Sequence, residues 1–156
     1  MKKSILFIAF LCFICLSAVA QQTLSPITWT AYGLTFKAPK GIAVEEDTEE
    51  TFLLNNNKFY ITVQALESDD ITKEQIGSEL DGLADDDGME TRSAHKNFEL
   101  PQFYGTYMNG KCEEDKCCYC YLLTKAAGSA FFVSVVYSKG EEATVETILK
   151  SFKMEE

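Results

Sequence analysis

The chain has 156 residues, of which 14 are basic and 24 acidic, for a net charge of −10. That balance argues against nucleic acid as a partner, because binding it requires Lys and Arg to neutralise phosphates. An anionic membrane surface is disfavoured for the same reason, whereas solubility and a basic protein partner are favoured.

Met1-Lys2-Lys3 is a short basic head, followed by an apolar run from Ile5 to Leu16 and the small residues Ser17-Ala18-Val19-Ala20. This pattern predicts a secretory signal peptide over residues 1–20, cleaved after Ala20. The run is too short to span a bilayer, which takes about 20 apolar residues. Cys12 and Cys15 have C-x-x-C spacing but lie in the segment to be removed. Neither is placed as a lipoprotein signal requires, so the expectation is a periplasmic or extracellular protein. Residues 21–156 then form a single domain. Losing Lys2 and Lys3 leaves 12 basic against 24 acidic residues, a net −12. No second apolar run is long enough to span a membrane.

Ile27 to Thr30 and Leu34 to Lys37 alternate with period two about Tyr32-Gly33, which predicts a hairpin. Ile42-Ala43-Val44 reads as a short strand, and Glu45 to Glu50 as a solvated loop or strand edge. Thr51 to Leu54 and Lys58 to Leu66 read as strands joined at Asn55-Asn56-Asn57, where Asn tolerates the positive φ of a tight turn. Thr72 and Gln75 form a capping pair that starts a helix. Ile76, Leu80, Leu83 and Ala84 are its apolar stripe. Asp85-Asp86-Asp87-Gly88 ends it, and three carboxylates at that end oppose the helix dipole, which predicts fraying. The string is a poor calcium loop, since Leu83 and Ala94 stand where the first and twelfth ligands belong.

Thr91 to Phe98 reads as a strand, and Pro101 precedes another over Gln102 to Met108. Asn109-Gly110 is a hairpin signal, although the acidic residues after it also allow a longer loop from 109 to 116. The next two strands are apolar on both faces: Cys118, Cys120 and Leu122 alternate with Tyr119, Tyr121 and Leu123, and Phe131, Val133, Val135 and Tyr137 with Ala130, Phe132 and Val136. A strand with one wet face alternates apolar and polar, so these belong in the middle of a sheet covered above and below. Ser138 and Glu141 read as the start of a last helix, with Val145, Ile148, Leu149 and Phe152 as its apolar face. Strands, helix, strands, helix is the order of an α+β domain: an antiparallel β-sheet with helices packed on both faces.

Gly33-Leu34-Thr35-Phe36-Lys37-Ala38-Pro39-Lys40-Gly41, a strand running into a Pro-x-Gly turn, resembles the opening of the PsbP-like family. The closing helix ending Ile148-Leu149-Lys150-Ser151-Phe152 is similar too. That fold is shared with the yeast Ran-binding nuclear-import factor and with bacterial exported proteins. Ile42 departs from the aromatic residue common after the turn. The resemblance implies a sandwich and a non-catalytic role in binding a protein partner. It carries over no functional residue.

The four cysteines outside the leader, Cys112, Cys117, Cys118 and Cys120, are the one chemical constellation. In an oxidising compartment disulfides are the default. Cys112–Cys117 is one candidate bridge. Cys118 and Cys120 in a regular strand would share a face with parallel Cβ vectors, poor disulfide geometry, which disfavours 112–117 paired with 118–120. Cys117–Cys120 with Cys112–Cys118 remains open. The alternative function is a metal-binding or thiol-redox protein using the Cys112–Cys120 cluster. Zinc would hold four thiolates, but adjacent Cys117 and Cys118 ligate awkwardly. A thioredoxin-type thiol sits at a helix N-terminus, whereas a strand follows here. His95, the single histidine, reads as a surface strand residue. Trp29, Tyr104, Tyr107, Tyr119 and Tyr121 form either sheet core or an aromatic binding face. No cofactor motif and no catalytic set is present.

Overall fold

The structure, a computed structural model, describes residues 22–126 and 128–156. The leader predicted over residues 1–20 lies outside them. Ten strands and two helices follow in the order β1 (Leu24–Trp29), β2 (Leu34–Pro39), β3 (Ala43–Asp47), β4 (Thr51–Asn55), β5 (Phe59–Leu66), α1 (Ile76–Asp86), β6 (Lys96–Glu99), β7 (Phe103–Cys112), β8 (Asp115–Thr124), β9 (Ala130–Tyr137), α2 (Glu142–Leu149) and β10 (Lys153–Met154). Seven strands form an antiparallel sheet in the order β3-β4-β5-β9-β8-β7-β6, and three form a smaller sheet, β1-β2-β10. The fold is mixed α+β, with helices on both faces of the large sheet.

β8 and β9 lie side by side at the middle, as their two-sided apolar patterns require. On one face, Cys118, Cys120, Leu122, Phe131, Val133 and Val135 pack with Trp29 and Phe36 of the small sheet and Val145, Ile148 and Leu149 of α2. On the other, Cys117, Tyr119, Tyr121, Ala130 and Phe132 pack beneath Ile76, Leu80 and Ala84 of α1. Trp29 donates its indole N–H to the Thr48 carbonyl at 2.7 Å, tying the small sheet to the β3–β4 turn.

Several local expectations are corrected. The β7–β8 hairpin does not turn at Asn109-Gly110. The ladder continues to Cys112↔Asp115, and the turn is Glu113-Glu114, with Glu113 at φ +55°. Gly110 serves another purpose: a β-carbon there would lie 2.7 Å from Met89 and 2.8 Å from the Glu90 carbonyl. Glu90 and Lys111 exchange backbone hydrogen bonds at this close approach. Thr91 adopts φ +52°, so the strand expected over 91–98 shrinks to β6.

The helix starts differ as well. α1 begins after Gln75, whose side chain accepts the Thr72 amide while the Thr72 hydroxyl caps nothing. Glu141, not Ser138, is the N-cap of α2. The β4–β5 turn needs no positive φ, because the Asn56 carboxamide accepts the amides of Lys58 and Phe59, both at 2.8 Å. Acids at the C-terminal end of α1 find partners: Asp85 pairs with Arg92 at 2.6 Å, and Tyr119 donates to Asp87 at 2.9 Å.

Candidate functional site

The four cysteines do not form one site. Successive residues of a strand point to opposite faces, so Cys117 faces α1 while Cys118 and Cys120 face α2. Cys112 and Cys117 form a disulfide across the hairpin tip. Cys118 and Cys120 are free and buried. The cluster proposed as the alternative function is therefore divided by the sheet itself. Burial pushes the Cys118 thiol up to about 12, and nearby Lys96 offsets this only in part. Burial, helped by Cys118, raises Cys120 well above its ordinary value. A thiol is a nucleophile or a ligand only as thiolate, so neither is suited to redox work or metal capture. Among the described residues, no group of three or more His, Cys, Asp and Glu side chains could hold a metal ion.

The aromatic residues divide in a similar way. Trp29, Tyr107, Tyr119 and Tyr121 are buried in the two cores. Tyr104 alone stays half-buried, packed against the core beneath α1. It forms part of a cleft of about 610 Å³ between the start of α1 and strand β6. Lys73, Glu74, Ile76 and Gly77 make one wall, and His95, Asn97, Glu99 and Tyr104 the other. Lys73 and Lys125 place their ammonium groups 5.4 and 5.1 Å from the Tyr104 ring centroid. Lys125 also pairs with Glu99 at 2.5 Å, and this hydrogen bond and charge hold the Glu99 carboxyl below its ordinary range.

His95 precedes β6 and does not lie within a strand. Its imidazole Nε2 is 2.8 Å from Asp81 Oδ1 on α1. The ring is one-third exposed and faces the cleft beside Gly77. Gly77 and Asp81 lie one helical turn apart on α1. Only the packing of α1 on the β7–β8 hairpin brings His95 to them.

A family profile described as dihydro-orotase-like matches residues 10–141. The chain belongs to the dihydro-orotase-like family. No curated protein matches the sequence. Two solved structures resemble this dihydro-orotase-like chain. A mutant of the protein Mog1 is 12% identical with a TM-score of 0.59, over 85% of this chain and 96% of that one. A protein of Bacteroides thetaiotaomicron is 17% identical with a TM-score of 0.53, over 87% of this chain and 49% of that one. The dihydro-orotase-like chain thus spans about half of the Bacteroides protein. At these identities the likeness concerns the fold alone, which the chain shares with Mog1.

Proposed function

We propose that this dihydro-orotase-like chain is an exported, non-catalytic binding module that contacts a protein partner at the α1–β6 cleft. The observation that carries the reading is the cleft itself. It is a concavity of about 610 Å³, and it sits at the edge of a seven-stranded sheet whose two faces are packed. Its polar side chains are held before any ligand arrives: His95 by Asp81, and Glu99 by Lys125. Such preorganisation lowers the entropy lost on binding. No Ser, Thr or Cys lines the walls beside His95, so the imidazole lacks the usual nucleophile to activate. The acid excess of the chain favours a partner with a basic surface.

The test is affinity capture from the native envelope with the immobilised 21–156 chain, beside a cleft variant, Asn97→Arg. One protein enriched by the wild type and lost with the variant is the expected result. Capture no higher than background with both would contradict the reading. Mass spectrometry of the secreted chain checks the export step, with Gln21 expected at its N-terminus.

A second reading has one observation in its favour, the His95–Asp81 pair, since an imidazole oriented by a carboxylate is the usual general base. Turnover of dihydro-orotate, a cyclic amide, that disappears in His95→Ala would establish it. No turnover by the purified chain would remove it.

A further inference from the structure

The α1–β6 cleft carries Glu74 and Glu99 in its walls, and a cavity of about 590 Å³ at the hairpin tip carries Glu114, Asp115 and Glu142. A groove of about 460 Å³ between the small sheet and the end of α2 is different. Lys37, Lys150 and Lys153 line it, and no acid does. In a chain with 24 acids against 14 bases, three lysines around one groove reverse the local charge.

The strand register says how two of them meet. Lys153 of β10 lies opposite Thr35, and Lys37 stands two residues beyond Thr35 on β2. Side chains two apart on a strand share a face. Lys37 and Lys153 are therefore diagonal neighbours on the outer face of the small sheet, about 7–8 Å apart. Both are exposed, and neither has an ion pair among the described residues. Lys150, at the end of α2, is tied to Glu146 at 2.5 Å. Two uncompensated ammonium groups side by side repel each other, a cost that the fold does not require. The hydroxyls beside them are already used. Ser151 Oγ accepts the Lys37 amide at 2.8 Å and donates to the Ile148 carbonyl at 2.6 Å, and Thr147 donates to the Ala143 carbonyl at 3.0 Å. What the groove offers a ligand is positive charge.

We propose that this groove binds a small organic dianion, a phosphate monoester or a dicarboxylate, between the ammonium groups of Lys37 and Lys153. A dianion compensates both uncommitted charges at once, whereas a monoanion leaves one. Lysine attracts as a point charge and imposes no fork geometry, so the pair selects by charge. The exposed Pro26 ring, opposite Lys37, and the methylene stems of the lysines give the body of the ligand an apolar wall. The groove's volume falls within the range of small-ligand sites, about 300–1,000 Å³. It shares no lining residue with the α1–β6 cleft, so this site and the partner-binding reading do not depend on each other.

The experiment titrates the purified protein with phenyl phosphate and with phthalate, both dianions at neutral pH, and with the monoanion benzoate, following backbone amide chemical shifts. The expected result is a saturable shift of the amides of Lys37, Ser151 and Lys153 with a dianion, weakened by added salt. Benzoate binds less tightly. The tighter of the two dianions identifies the head group. Lys37→Gln and Lys153→Gln change exposed side chains and keep the fold. Each lowers affinity about threefold and the double variant about tenfold, at the strength of exposed ion pairs. The melting temperature stays equal or rises, because a repulsion is removed. Lys139→Gln makes the same charge change at an exposed position outside the groove and leaves affinity unchanged. No saturable shift, shifts confined to residues outside the groove, full affinity in the double variant, an equal loss in Lys139→Gln, or benzoate bound as tightly as the dianions would overturn the proposal.

Discussion

The ring of Phe98 lies directly on the backbone of Gly105, with its Cζ 2.4 Å from the point a β-carbon would occupy. The two residues face each other across the β6–β7 ladder. The aromatic ring covers the strip of backbone that a glycine in a strand exposes. Phe98 also meets Tyr107 edge to face, at 5.8 Å between centroids. A methyl group at position 105 must therefore displace Phe98 from the edge of the core. Gly105→Ala is expected to destabilise the fold by about 1–3 kcal/mol, the usual cost of overpacking, read as a lower urea midpoint. An unchanged midpoint would show that the ring moves freely.

The disulfide closes a short loop at the hairpin tip, with Cys112 and Cys117 five apart in sequence. Chain entropy gives such a small loop about 2 kcal/mol, less than a long one. The double variant Cys112→Ser, Cys117→Ser should lose about that much stability and remain folded, because both cores are otherwise intact. Thermal unfolding followed by circular dichroism measures it.

Thiol counting tests the division of the cysteines between the two faces. The native 21–156 chain without reductant should show no alkylatable thiol. Unfolding alone should expose two, Cys118 and Cys120, and unfolding with reductant all four. Rapid alkylation of the folded chain would contradict the burial beneath α2.

Alkaline stability follows from the same burial. Desolvation raises Cys118 from 9.0 to about 12, and Tyr119 and Tyr137 from 10.0 to about 12; a bond to Asp87 adds to the rise at Tyr119. In each case folding favours the protonated, neutral form. The stability tied to these groups is complete below the unfolded values of 9.0 and 10.0 and drains away as pH rises towards 12, because the unfolded chain binds fewer protons there. Denaturant midpoints should fall steadily from pH 9 upward, and Cys118→Ala should flatten the first part of that fall.

How much of this was legible in the sequence depends on the length scale of each signal. β8 and β9 could be read because both faces of each strand are apolar, a pattern that survives any choice of neighbour. The hairpin tip misled because Asn109-Gly110 is a strong local turn signal, and nothing local reveals that Gly110 instead admits Met89 and Glu90. β10 has two residues and exists only by pairing with Leu34 and Thr35, so it left no pattern to read. The helix starts shifted because a side chain that suits a cap can be used for a turn, as Gln75 is with the Thr72 amide. The cleft was invisible for a different reason. Its walls come from α1 and β6, and a glycine, an aspartate and a lone histidine form a site only once the helix is laid on the sheet.

The central claim, that a protein partner meets the chain at the α1–β6 cleft, is tested most directly by photo-cross-linking in the living envelope. A photoreactive residue replaces Asn97 in the cleft or, as a control, Tyr60, which is 42% exposed on the sheet away from it. The account predicts a single cross-linked protein from position 97 and none from position 60. Cross-linking from position 60 alone, or from neither position in cells that make the protein at its natural level, would contradict it.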